Sequence, residues 1–201
     1  MLTNETLKLL LYWENNLFAE ACLQELMKSQ NKSSKAWIFN ALNSLIKNNL
    51  IVKSKKSNLN LYSLNLNNPL SYKSLNFLKT GNFPEIGTVN ILIRTIPFTN
   101  YCLIVFGSYA KYKQKKDSDL DVCLITETKE DYKKIKPYVE ELKLEINLDV
   151  NYVTKKEFVE MLTNEEENLG KQIEKNEKLI FFNEDIYYQM LIEAHKHGYR
   201  S

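Results

Sequence analysis

Residues 101–122 read YCLIVFGSYAKYKQKKDSDLDV, and the fold of the second half of the chain turns on them. YCLIVF (101–106) is a continuous apolar run rich in β-favouring residues, the pattern of a buried strand. Gly107-Ser108 ends it: a glycine lets backbone approach a ligand closely, and the N–H groups of a following helical turn favour an anion. Eleven residues past Ser108, Asp119 and Asp121 stand two apart on what reads as the next strand, 119–125. Both carboxylates then share a face while Leu120 and Val122 point into the core. Like charges held about 6–7 Å apart repel unless a cation intervenes, and a divalent ion bound by oxygen is the natural solution. A third carboxylate, Asp149 in INLDVNYV, falls on the following strand, 147–153, within reach because neighbouring strands lie about 4.8 Å apart. Three carboxylates on two strands suit a two-metal site for in-line phosphoryl chemistry.

Working outward, helical and extended patterns alternate. The pattern predicts a helix over 85–98 before YCLIVF, then a helix over 129–144 interrupted near Pro137, and a helix over 154–162 after the Asp149 strand. A polar helix at 165–176, a short strand KLIFF (178–182) and a helix over 185–195 follow. That alternation is α/β in character. Lys111, Lys113, Lys115 and Lys116 lie between the two halves of the acidic motif, where they serve either to neutralise a polyphosphate or as a solvated loop. His195 and His197 stand two apart near a helix end and face different directions, which suits the helix dipole better than a metal. Phe181, Phe182, Tyr187 and Tyr188 read as core packing.

Upstream the pattern differs. Thr3 and Asn4 precede a helical stripe of Leu7, Leu10 and Leu11. Phe18–Met27 repeats it with Ala19, Cys22, Leu23 and Leu26, and after the polar turn SQNKS (29–33) a third helix spans 34–48 with Ile38, Ala41, Leu42 and Leu45 buried. Then LIVKSKKSNLNLYSL (50–64) reads as a hairpin turning through KSKKSN. Two of the four prolines lie in residues 69–84, a hinge or connecting helix. The chain is therefore of mixed α+β and α/β class.

Helix, helix-turn-helix and basic-tipped hairpin in that order resemble a winged helix-turn-helix domain over residues 1–68. The resemblance implies duplex DNA binding through Ser34, Lys35, Asn40 and Lys47 of the third helix and Lys53, Lys55 and Lys56 at the hairpin tip. Charge agrees with it. Residues 1–80 carry 10 Lys against 4 Glu, and no acidic residue occurs between Glu25 and Glu85 while nine lysines do. The remainder is net acidic, so the overall charge of +2 conceals two halves of opposite sign. A protein-binding or dimerisation role suits the same element order.

Gly107-Ser108-Tyr109-Ala110, followed by Asp117-Ser118-Asp119-Leu120-Asp121-Val122, is similar to the nucleotidyltransferase domain of the DNA polymerase beta superfamily, most closely its minimal nucleotidyltransferase branch. The resemblance covers residues 85–201 and implies a polymerase-beta-like fold. It further implies that Gly107 and Ser108 hold nucleotide phosphates, that Asp119, Asp121 and Asp149 hold two magnesium ions, and that Asp149 helps activate an acceptor hydroxyl. The chain departs from that branch at Tyr112, where glycine is common. The implied reaction moves a nucleoside monophosphate, AMP from ATP, onto a hydroxyl of a macromolecular acceptor, by family analogy a toxin partner on tyrosine. The other readings are a transcription regulator whose second domain binds nucleotide without turnover and a transferase acting on an aminoglycoside-type small molecule. About 52 residues follow Asp149, few for the added domain that encloses a small acceptor, which favours a macromolecule. Acidic stretches at 165–167 and 174–177 are available to meet a basic partner surface. A homodimer is compatible with all of these.

At 44% hydrophobic and 26% charged, the composition excludes a disordered or collagen-like chain. No apolar run approaches the roughly 18 residues that span a bilayer. Cys22, Cys102 and Cys123 are odd in number and scattered in apolar segments, so neither a disulfide framework nor a cysteine metal site is expected, and a reducing cytoplasm fits.

Overall fold

Thr3 accepts a hydrogen bond from the Thr6 backbone N–H and so opens α1 (Asn4–Leu7), which tightens at once into a 3-10 segment, Lys8–Trp13. The structure, a computed structural model, describes residues 2–30, 34–81 and 83–200 and divides into two compact units, 1–79 and 80–200.

In the first unit the expected helix from Phe18 is shorter than its apolar spacing suggests. Ala21–Cys22 instead form a strand, β1, and α2 runs over Leu23–Ser29. The reason is local: Cys22 has extended backbone, and its N–H donates to the Glu25 carboxylate at 2.7 Å, a cap that makes Leu23 the first helical residue. The turn SQNKS lies partly outside the described residues, at 31–33. Helix α3 (Lys35–Lys47) follows the sequence pattern. Ser34 caps it by accepting from the Trp37 N–H, and Ile38, Ala41, Leu42 and Leu45 are buried.

The hairpin consists of β2 (Ile51–Lys56) and β3 (Leu59–Leu64), paired antiparallel with Lys53 opposite Tyr62 and Lys56 opposite Leu59. Lys53, Lys55 and Lys56 are strand residues rather than part of a long turn, because Ser57 takes a left-handed φ of +55° and reverses the chain beside Asn58 alone. β1 adds to the other edge of β3, giving the order β1-β3-β2. Helix α4 (Pro69–Thr80) starts on a proline, whose missing N–H costs nothing at a first helical position.

The second unit begins with α5 (Ile86–Thr95), then β4 (Tyr101–Val105), a single turn α6 (Gly107–Ala110), β5 (Leu120–Thr126), α7 (Lys129–Leu142) and β6 (Leu148–Thr154). It is completed by α8 (Lys155–Thr163), α9 (Leu169–Lys175), β7 (Leu179–Phe182) and α10 (Glu184–Lys196). The sheet order is β6-β5-β4-β7, with β5 and β6 parallel and the other pairs antiparallel. The parallel pair needs a crossover, which α7 supplies.

Helix α7 passes through Pro137 without interruption. Pro137 and Lys133 both lie on the exposed side, so the Lys133 carbonyl that loses its helical donor faces water, while Ile135, Val139 and Leu142 hold the buried face. One sheet face, with Leu103, Val105, Leu120, Val122 and Leu124, packs with residues of α5 and α7 into a single apolar core. Capping boxes at Thr128–Asp131 and Thr154–Glu157 start α7 and α8 where β5 and β6 end.

Candidate active site

The site forms where β5 and β6 begin. Their parallel register sets Asp121 directly opposite Asp149 and Leu120 opposite Leu148, so the two aspartates share the sheet face that the apolar pair does not. Asp119 falls one residue before the β5 ladder, not within it, and is exposed. The cause is the tight turn ahead of it, in which Ser118 N–H bonds to the Lys115 carbonyl at 3.1 Å and the Ser118 hydroxyl accepts from the Lys115 N–H at 2.8 Å. Extended pairing resumes only at Leu120, whose N–H reaches the Asn147 carbonyl at 2.9 Å.

Gly107 closes against this pair. Its φ is +69°, and a Cβ built on it would stand 2.0 Å from Asp121 Oδ2 and 2.7 Å from Cγ. No side chain fits there, and the left-handed backbone independently favours glycine. The Ser108 backbone N–H donates to the Asp121 carboxylate. That N–H, which the sequence suggested for a phosphate, is thus turned to the aspartate, leaving the Ser108 hydroxyl as the group of that residue without a partner among the described residues. Burial pushes the Asp121 carboxyl above the ordinary carboxylate value; the Ser108 bond opposes the rise, and the charges of Asp149 and Asp119 add to it.

Those charges bear on metal binding. Among the described residues no group of three or more His, Cys, Asp or Glu side chains is gathered into a ready metal cage. Asp119, Asp121 and Asp149 nonetheless offer only hard oxygen donors, and they are close enough for two of them to disfavour the charge on the third. That donor set is compatible with a divalent cation such as magnesium. His195 is not part of it: its Nδ1 lies 2.9 Å from the Tyr199 carbonyl, within the α10 terminus.

Two features were not legible in the sequence as site elements. The Tyr109 hydroxyl donates to the Ser118 carbonyl at 3.3 Å, tying α6 to the segment that presents Asp119; nothing in GSYA distinguishes that tyrosine from a packing residue. A cleft of about 350 Å³ lies beside the same segment, lined by Tyr109, Lys116, Asp117, Ser118 and Asn147 among others. Tyr112 has a φ of +53°, the conformation glycine takes freely. For a bulky side chain this costs on the order of 1–2 kcal/mol, and the turn is held by Tyr112 N–H to the Tyr109 carbonyl and Lys113 N–H to the Ser108 carbonyl. The ring meets the edge of Phe83 at 6.3 Å and stays half-exposed. Lys111, Lys113, Lys115 and Lys116 are exposed and have no ion-pair partner among the described residues.

The acidic C-terminal stretches do not form one solvated face. Glu165–Glu167 lie in a loop before α9, where Glu167 pairs with Lys175. Glu174 is buried, ion-paired to Lys178 at 3.2 Å and accepting from the Tyr187 hydroxyl. Of the aromatic cluster read as core packing, Tyr187 and Tyr188 are buried, and Phe181 and Phe182 are partly buried and pack against the core.

In the first unit, Lys35, Asn40 and Lys47 are exposed on α3, Ser34 is exposed but uses its hydroxyl oxygen for the cap, and Lys53, Lys55 and Lys56 are exposed on β2. Lys53 and Lys55 share one face of that strand and Lys56 the other.

Residues 100–186 match the family model described as Polymerase beta, Nucleotidyltransferase. The match spans the strand before Gly107, the acidic motif, Asp149 and the whole four-stranded sheet, and it points to nucleotidyl transfer as the chemistry of this unit. No curated protein and no solved structure matches the chain. No helix among the described residues is long and apolar enough to cross a membrane.

Proposed function

We propose that the second unit transfers a nucleoside monophosphate, AMP from ATP, onto a hydroxyl of a macromolecular acceptor, and that the first unit is a winged helix that binds duplex DNA. The observation that carries the transfer reading is the register of Asp121 opposite Asp149 beneath Gly107, inside the segment that matches the nucleotidyltransferase family. Asp119, Asp121 and Asp149 would hold magnesium, which when bound neutralises polyphosphate charge and polarises the reacting phosphoryl group. Gly107 admits close backbone approach, and the Ser108 hydroxyl binds a phosphate oxygen. Asp149, the more exposed of the paired carboxylates, accepts the proton of the incoming hydroxyl. The exposed lysines 111, 113, 115 and 116 draw the polyphosphate toward the site. For the first unit, the order α1, β1, α2, α3, β2, β3 and the lysines of α3 and β2 support groove and backbone contacts with DNA. A toxin-like partner protein as acceptor and a homodimeric state belong to the same reading.

Purified protein incubated with magnesium and each α-labelled NTP, with and without cell extract, tests it. Label on a macromolecule with ATP is expected, and loss of that label in Asp149→Asn. Bound nucleotide that is never turned over would replace transfer by sensing, and label on a small alcohol alone would replace the acceptor.

A further inference from the structure

A cavity of about 630 Å³ opens in the first unit between α2, α3 and the outer part of the hairpin. Its volume falls within the roughly 300–1,000 Å³ of small-molecule sites, and its lining has the composition of one. Leu23, Met27, Phe39, Leu59 and Tyr62 supply an apolar wall. Phe39 and Leu59 remain 49% and 53% exposed, so this wall holds apolar surface that the core does not cover. Among the lining residues Lys35 is the one charged group, and it has no ion-pair partner among the described residues. It is also the first residue of the 13-residue α3, where the helix end adds positive potential. Asn58 and Asn60 bring amide groups to the rim.

A duplex phosphate backbone can meet Lys35 but cannot cover Phe39 and Leu59, whose burial needs an apolar body. A cation would meet an uncompensated lysine. We propose that this cavity binds a small amphipathic organic anion, its apolar body against Met27, Phe39 and Leu59 and its acidic head at Lys35. The site is independent of the transfer chemistry, and it shares Lys35 with the proposed DNA-binding surface.

The test uses the full chain at neutral pH, titrated with octanoate, octanol and octylamine, with binding read from the methyl resonances of Met27 and Leu59. Octanoate should saturate these shifts and bind about tenfold more tightly than octylamine. Lys35→Glu should reverse that order. Phe39→Ser, at a position already 49% exposed, should weaken octanoate by roughly tenfold, the worth of about half a buried aromatic side chain, with the methyl spectrum of the unliganded variant checking that it is folded. The proposal is overturned if no amphiphile saturates the shifts, if Lys35→Glu leaves the order unchanged, or if Phe39→Ser binds as well as wild type. Shifts of Met27 and Leu59 on adding a short DNA duplex, with none on adding octanoate, would assign the cavity to nucleic acid and overturn it equally.

Discussion

Replacing Gly107 by alanine should couple two penalties that a double-mutant cycle can separate. The first is conformational: at a φ of +69°, an L side chain costs about 1–2 kcal/mol. The second is steric. The new methyl would stand 2.0 Å from Asp121 Oδ2 and 2.7 Å from its Cγ, contacts that force the carboxylate or the strand to move at about 1–3 kcal/mol. Gly107→Ala alone should therefore destabilise the second unit by about 2–5 kcal/mol. In an Asp121→Ala background the two closest atoms are gone and only the Asp121 Cβ remains, at 3.1 Å, so the same change should cost about 1–2 kcal/mol. The cycle then gives a coupling of about 1–3 kcal/mol. Both tryptophans, Trp13 and Trp37, belong to the first unit, so their fluorescence is the wrong probe. Native-state hydrogen exchange at the Ile104 and Cys123 amides, which pair across the ladder between β4 and β5, reads the affected unit directly. A coupling below about 0.5 kcal/mol would mean that Gly107 and Asp121 do not pack as described, and the close approach at the centre of the site would be wrong.

Asp119→Asn and Asp121→Asn should each abolish magnesium-dependent label transfer while the chain stays folded. Because the Asp121 carboxyl is raised above its usual 3.8, its contribution to stability is full below that value and is lost as pH rises through the folded value. Asp121→Asn should therefore melt higher than wild type at neutral pH, with the gap closing in acid; a lower melting point at neutral pH would contradict the burial and repulsion at the site. Glu157 behaves oppositely: Lys129 and the Thr154 N–H hold its carboxyl down to about 2 against a usual 4.5. Its contribution is present above pH 4.5 and lost as pH falls toward 2, and NMR titration of Lys129→Ala should show the midpoint moving back up. Replacing Lys53, Lys55 and Lys56 together by alanine should lower the salt slope of duplex binding by up to about 2.7, at about 0.9 per phosphate contact; an unchanged slope places the DNA elsewhere.

What the sequence disclosed followed from how local each signal was. The α3 stripe Ile38, Ala41, Leu42, Leu45 is a property of one helix, and it is buried as its spacing requires. Asp121 and Asp149 were legible because a period of two fixes the face of a strand, and parallel pairing then sets them opposite each other. Asp119 was misplaced because the Lys115–Ser118 turn, made by a side-chain hydroxyl, delays the strand by one residue. Pro137 reads as a helix break in the sequence because the exposure of the orphaned Lys133 carbonyl is a property of the folded chain alone. The strand Ala21–Cys22 exists only because β3, far along the chain, offers it an edge. Glu174 read as a surface charge because its partners Lys178 and Tyr187 declare themselves only in three dimensions.

The position of β4 between β5 and β7 has a consequence for how the chain is made. All five residues Tyr101–Val105 end up buried, and the segment contains no charge and no proline. On a ribosome adding about 5–20 residues per second, β5 emerges soon after β4, but β7 follows only after several seconds more. Throughout that interval one edge of an apolar, β-prone strand has no partner, which is the circumstance in which nascent chains self-associate or engage chaperones. A lesion in Leu179–Phe182 should therefore show itself less as weakened activity than as insoluble product, since the segment that seals β4 is also the last strand to arrive.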